Sequence, residues 1–271
     1  MENGAQASSE LRQLLEIATE AANSAARLLS ARFGTDMDVR LKPGGAHDLV
    51  TEMDLASEKL IQEVVRGYLP DAKFLGEETG GDHDLTELTW VVDPIDGTVN
   101  YAHGIPIWCV SIAAVANNQP LVGVIANPNV GELFTAAQGG GAFLNGNQLR
   151  VTETTGLTGS VLVTGFPYNV AENPFGCIDS FTAFVRRGIP VRRLGSAALD
   201  LAYVAAGRFD GFWEVKLNEW DIAAGALMVH EAGGRIRSYG PNNAQGLLAT
   251  DRMLATNGKV EAEMLAVLRQ A

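Results

Sequence analysis

Apolar and polar positions follow two rhythms along this chain. In "SSELRQLLEIATEAANSAARLLSARFG", Leu11, Leu14, Leu15, Ala18, Ala22, Ala25, Leu28 and Leu29 fall at helical spacing, with Gly34 as a stop. A second helix is predicted over Leu55–Tyr68, with Leu60, Ile61, Val64 and Val65 on one face and Pro70 closing it. Between the two, "KPGGAHDLVTEMD" is turn-rich and reads as a loop or hairpin. From Trp90 the rhythm shortens. "WVVD", "CVSIAAVA", "QPLVGVIANP" and "GELFTAA" are short apolar or alternating runs broken by Asn, Pro and Gly, the grammar of strands. "GGGAFLNGNQLRV" adds a hairpin signal. Further strands are expected near Val161–Thr164, Val191–Leu194 and Phe209–Trp213, and helices over Ile178–Arg187, Ala197–Ala206, Ile222–Ala232 and Val260–Leu268. This alternation predicts layered sheets and helices, an α/β (α+β) fold. The 271 residues form one unit, 1–271, with halves of about 1–150 and 151–271.

Composition narrows the class. With 46% hydrophobic and 19% charged residues, the chain is globular. No apolar run is long enough to cross a bilayer, and the N-terminus carries no secretory pattern, so a cytoplasmic protein is expected. Cys109 and Cys177 lack metal-ligand spacing and read as reduced, buried thiols. A net charge of −12 argues against direct nucleic-acid binding, which needs a positive footprint. His47, His83, His103 and His230 are scattered without metal spacing.

The candidate chemistry is acidic. In "WVVDPIDGTVNYAHG" an apolar strand delivers Asp93, Pro94 fixes the turn, and Asp96 follows three residues later. Both carboxylates can converge, with the Ile95 carbonyl as a third hard oxygen, a donor set that suits Mg²⁺. The amides of Gly97 and Thr98 are placed to cradle an anion. "FLGEETG" brings Glu77 and Glu78 after another apolar approach, while "LVTEMD" and "NEWDIAAGALMVHEAGG" put Asp54 and Asp221 at helix starts. Each has a plain alternative: an Asx turn at Asp93 and Asp96, a solvated turn at Glu77 and Glu78, and N-caps at Asp54 and Asp221. Together they supply the parts of a two-metal phosphoryl-transfer site.

"WVVDPIDGTVNYAHG", "GEE", "WDIAAGALMVHEAGG", "LKPGGAHDLVTEMD" and "RRLGSAALDLAYVAAGRFDGFWE" resemble, in order, the signatures of the inositol monophosphatase family. The resemblance implies a layered αβαβα sandwich, a homodimer, and lithium-sensitive hydrolysis of a small-molecule phosphate ester with two or three Mg²⁺ ions. It assigns Glu77, Asp93 and the Ile95 carbonyl to the first metal and Asp93, Asp96 and Asp221 to the second, at a separation of roughly 3.5–4 Å. It gives Asp54, Glu77 and Thr98 to activation of the attacking water, and Gly97 and Thr98 to phosphate. Asp96, Ala197, Glu214 and Asp221 go to the alcohol, with Lys42 and Glu78 in support. Three departures stand out: Val99 where many members have threonine, a longer loop from Lys42 to Asp54, and "EVKLNEWD" beside the alcohol pocket.

The leading expectation is hydrolysis of a polyol or sugar monophosphate such as inositol 1-phosphate. Histidinol phosphate, fructose 1,6-bisphosphate and 3′-phosphoadenosine 5′-phosphate are the alternatives within the family. Haloacid-dehalogenase phosphatases place D-x-D near the N-terminus with a covalent nucleophile, unlike the D-x-x-D with an internal proline at residue 93. A non-enzymatic role, as a binding partner of the transcription machinery, is the remaining reading.

Overall fold

The computed structural model describes residues 2–35, 38–41, 49–240 and 246–270. Helix α1 (Glu2–Arg32) leads into a two-stranded antiparallel ribbon, β1 (Val39–Leu41) and β2 (Leu49–Thr51), and then α2 (Glu52–Tyr68). Strand β2 belongs to the stretch read as a loop or hairpin, of which residues 42–48 lie outside the described residues. Lys42 and His47 lie outside the described residues.

Strands β3 (Lys73–Gly76), β4 (Gly80–Gly81) and β5 (Thr89–Asp96) follow, then the short helix α3 (Thr98–Ala102). β6 (Cys109–Ala116), β7 (Gln119–Asn127), β8 (Glu132–Ala137), β9 (Gly141–Leu144) and β10 (Asn147–Gln148) complete an eight-stranded sheet, ordered β10-β9-β8-β7-β6-β5-β3-β4. Among the described residues, only β3 and β5 run parallel within it. After β11 (Leu162–Thr164) come α4 (Cys177–Arg186), β12 (Val191–Arg192), α5 (Ala197–Ala205) and β13 (Gly211–Val215). Then follow α6 (Glu219–Glu231), β14 (Arg235–Ser238), β15 (Arg252–Thr256) and α7 (Glu261–Leu268). The second sheet has the order β12-β11-β13-β15-β14.

Period-two alternation explains the layering. On β5, Trp90 and Val92 pack against Ala18, Ala22 and Leu29 of α1 and Ile61 of α2, whereas Val91 faces the opposite core with α5 and α6. On the second sheet, Phe212 and Ala255 share that central core, while Trp213 and Leu254 face Phe184 and Met264 of α4 and α7. The result is five layers: α1–α2, the large sheet, α5–α6, the small sheet, α4–α7. This is the expected αβαβα sandwich. Because α6 lies between two sheets, it is apolar nearly all round, from Ile222 to Val229. Its fit is tight: a Cβ at Gly123 of β7 would sit 2.8 Å from the Ala224 Cα.

The strand reading of "WVVD" ended too early. β5 continues through Asp96, with an irregular register between Asp93↔Ser111 and Asp96↔Cys109. Pro94 has no N–H for the ladder, so the pairing breaks at that point and resumes at Asp96. The chain turns only at Gly97, whose φ is 99°. α1 and α2 also begin earlier than their apolar stripes suggest, α2 because Thr51 caps it. Strands β14 and β15 were not anticipated.

Candidate active site

The parallel strands β3 and β5 end on the same side of the large sheet, and the N-termini of α2, α5 and α6 point to that edge. The cavity there has a volume of about 830 Å³. Its walls include Glu77, Asp93, Ile95, Asp96, Gly97, Thr98, Ala197, Glu214 and Asp221, so these residues named from the sequence meet in one place. Asp54 is fully buried behind them and reaches the cavity through Thr98. Glu78 is half-buried and does not line the cavity; its backbone N–H donates to Glu58 at 2.9 Å.

Local sequence explains each position. Asp54 and Asp221 are not N-caps, as the plain alternative had it. The N-caps are Thr51 and Asn218, and each aspartate is the third helical residue of a capping box. The Asp54 Oδ2 accepts from the Thr51 N–H at 2.7 Å and from its hydroxyl at 2.6 Å. Asp54 Oδ1 lies 3.0 Å from the Thr98 Oγ1, which also lies 2.9 Å from the Ile95 carbonyl oxygen. The hydroxyl has one proton, so it serves one of these acceptors at a time. Asp221 Oδ2 accepts from the Asn218 N–H at 2.6 Å. Gly97 must be glycine: besides its φ, a Cβ would lie 2.9 Å from the Ile107 carbonyl and 3.2 Å from that of Gly195.

Asp96 faces the start of α5. It accepts from the Ser196 hydroxyl and the Ala198 N–H, both at 2.6 Å, and from the Ala197 N–H at 3.3 Å. The Cys109 thiol lies 3.8 Å away; both cysteines are buried and unpaired, as expected.

The electrostatics are those of crowded acids. Burial, then Glu77, Asp96 and Asp221, hold the Asp93 carboxyl well above its ordinary range. Burial raises Asp96 to about 6 against the pull of Ser196 and the α5 amides. Burial, reinforced by Asp221 and Asp96, raises Glu214 to about 8. Asp221 and Asp200 are also raised, mainly by burial. Negative charge is disfavoured here unless a cation compensates it. The donors are oxygen only, the chemistry of a hard divalent ion. Among the described residues, no three His, Cys, Asp or Glu side chains already stand in ion-holding geometry. The reason is visible: Asp93 Oδ1 accepts from the Ile95 N–H at 3.0 Å, and Asp96 and Asp221 are turned toward backbone amides. The residues suit a divalent ion in kind: an oxygen-only set of buried and half-buried acids gathered around one cavity.

Several cavity residues escaped sequence reasoning. Asp200 is buried on α5, and its Oδ1 has no hydrogen-bond partner. Arg193 and Lys216 bring positive charge to the wall, and Lys216 has a left-handed backbone with φ 57°. "RRLGSAALD" held the signal for Arg193 and Asp200, in a segment already singled out. Lys216 lies in "EVKLNEWD", the segment set beside the alcohol pocket, but the lysine itself was not named. His83 lies 3.2 Å from Glu219, with no part in the cavity wall.

Known proteins resemble this chain over nearly its whole length. An inositol-1-monophosphatase from Synechocystis is 42% identical over 262 residues, 96% of this chain and 90% of the relative. The Escherichia coli protein named Nus factor SuhB is 38% identical over 257 residues, 94% of this chain and 96% of that one. The solved inositol monophosphatase from Anabaena superposes with a TM-score of 0.82 at 38% identity, covering 97% of both chains. Among the described residues, no helix is long and apolar enough to cross a membrane. The model of the inositol monophosphatase family matches residues 10–271, and with these relatives it shows that the chain belongs to that family of phosphatases.

Proposed function

We propose that this protein hydrolyses a polyol or sugar phosphate monoester, inositol 1-phosphate first among them, with Mg²⁺ as cofactor. The observation that supports it is the meeting of Glu77, Asp93, Asp96 and Asp221 with the Asp54–Thr98 pair in one cavity. Glu77, Asp93 and the Ile95 carbonyl would hold one ion, and Asp93, Asp96 and Asp221 a second. Bound Mg²⁺ would supply positive charge to the phosphoryl oxygens and lower the pKa of water.

The chain's own groups do the rest. Gly97 lets the backbone come close to a phosphate, and the leading amides of α3, unpaired within the helix by position, face it. Thr98 passes a proton from the attacking water toward Asp54 Oδ1, while Thr51 engages Oδ2. Attack is direct, with no covalent enzyme intermediate. Glu214, Asp221 and the start of α5 at Ala197 contact the alcohol. The protein acts as a cytoplasmic homodimer and is inhibited by Li⁺.

The test is phosphate release from inositol 1-phosphate, histidinol phosphate, fructose 1,6-bisphosphate and 3′-phosphoadenosine 5′-phosphate, with Mg²⁺, EDTA or added Li⁺. Turnover that needs Mg²⁺, falls with Li⁺ and has its highest kcat/KM on inositol 1-phosphate is expected. Undiminished turnover in EDTA would refute the metal role, and preference for another ester would reassign the substrate. A second reading, a binding partner of the transcription machinery, takes its support from the relative named a Nus factor. Co-purification with transcription factors from cell extract tests it.

A further inference from the structure

The first two turns of α2 bury an unusual polar stripe: Thr51, Asp54, Ser57 and Glu58 are all 2% exposed or less. Asp54 and Glu58, four residues apart, share a helix face. Each member grips a different part of the cavity wall. Asp54 meets Thr98 at the start of α3, and the Ser57 hydroxyl donates to the Pro94 carbonyl at 3.1 Å, inside the irregular stretch of β5. Glu58 grips the turn between β3 and β4. Its Oε2 accepts from the Glu78 N–H at 2.9 Å, and its Oε1 from the Thr79 N–H at 3.0 Å and from the Thr79 hydroxyl. The Gln62 amide adds a longer contact at 3.4 Å.

Glu77 is the residue just before these two clamped amides and just after Gly76. A side chain at Gly76 would overlap the Glu58 carboxyl, so β3 ends directly against it. Glu58 has no place in the cavity wall itself. We propose that Glu58 is a positioning residue: its buried carboxyl holds the Glu77–Thr79 turn so that Glu77 stands ready for its metal ion. This rests on the metal reading above. A carboxyl is required because all its partners are donors; glutamine would turn an amide group, itself a donor, toward some of them.

The test measures Mn²⁺ binding without substrate, by electron paramagnetic resonance of the free ion, alongside hydrogen exchange of residues 77–80. Glu58→Gln should weaken, by about 10–100-fold, the class of sites that Glu77→Gln removes, as loss of a ligand's supporting contact does. Exchange at Glu78 and Thr79 should quicken while the circular dichroism spectrum stays that of wild type. Thr79→Val should shift affinity in the same direction by less, and Thr79→Ser should restore it. This pair also decides the matter if Glu58→Gln does not fold. Wild-type affinity, within twofold, in Glu58→Gln or in Thr79→Val would overturn the proposal. Absence of Mn²⁺ binding by wild-type protein would overturn the metal reading, and the role of Glu58 with it.

Discussion

Thr98→Val isolates the proton path, because valine keeps the shape of threonine and removes only its hydroxyl. In the structure that hydroxyl lies 3.0 Å from Asp54 and 2.9 Å from the Ile95 carbonyl, with Thr98 only 5% exposed. The substitution removes one hydrogen bond to a buried carboxylate, which costs about 1.5–3 kcal/mol for a charged acceptor. The added buried methyl offsets about 0.8 kcal/mol of this. A net loss of about 1–2 kcal/mol lowers Tm by a few degrees, on the order of 5 °C for a domain of this size. The rate should suffer far more. Loss of a positioned proton carrier costs about 10²–10⁴ in kcat, or about 3–5 kcal/mol at 1.36 kcal/mol per decade. The assay is kcat on inositol 1-phosphate at saturating Mg²⁺, with Thr98→Ser as the control that retains the hydroxyl. If Thr98→Val turned over within threefold of wild type, the Asp54–Thr98 relay would be refuted, whatever happened to Tm.

Asp93→Asn should abolish turnover at every Mg²⁺ concentration, yet in EDTA it should melt at or above the wild-type temperature, because it removes one acid from a buried, mutually repelling group; calorimetry checks the second half. In EDTA, stability should fall as pH rises. Asp96 and Glu214 are raised on folding to about 6 and about 8, so the folded chain binds more protons than the unfolded one between about pH 4 and 8. Thermal melts across that window test this, and a Tm that climbs with pH would contradict it; saturating Mg²⁺ at pH 8 should restore stability by mass action. Lys216→Gly relieves a left-handed lysine and should raise Tm by about 1–3 °C, for a gain of about 0.5–1 kcal/mol. A lowered Tm would show that the side chain makes a stabilising contact.

The layers were legible because burial imposes a period: alternation on β5 and the unbroken apolar run of α6 state which faces are covered. The carboxylates were legible because charge at the end of an apolar strand is costly and therefore informative. Sequence spacing missed how the site is braced. Asp96 bonds to Ser196 and Ala198 across 100 residues or more, and Glu58 holds a turn 20 residues away, neither implied by local pattern. The extent of β5 was missed for a related reason: Pro94 reads as a terminator, and only pairing with Cys109 on the far side shows that the strand resumes. β15 is an interior strand that pairs with β13, about forty residues earlier, a partnership no window along the chain displays.

The two capping boxes bear on how change in this chain would be interpreted. Asp54 and Asp221 each complete the first turn of a long helix, and Asp96 binds the first turn of a third. A descendant that abandoned hydrolysis would still be under pressure to keep those three, since losing a cap costs about 1 kcal/mol of fold stability. Their persistence would then report architecture, not activity. Asp93 caps no helix, gives the fold one local bond from the Ile95 N–H, and is pressed among other acids at 2% exposure, so the fold rewards its retention least once the ion is dispensable. In a lineage drifting from enzyme toward scaffold, position 93 should change while 54, 96 and 221 stay.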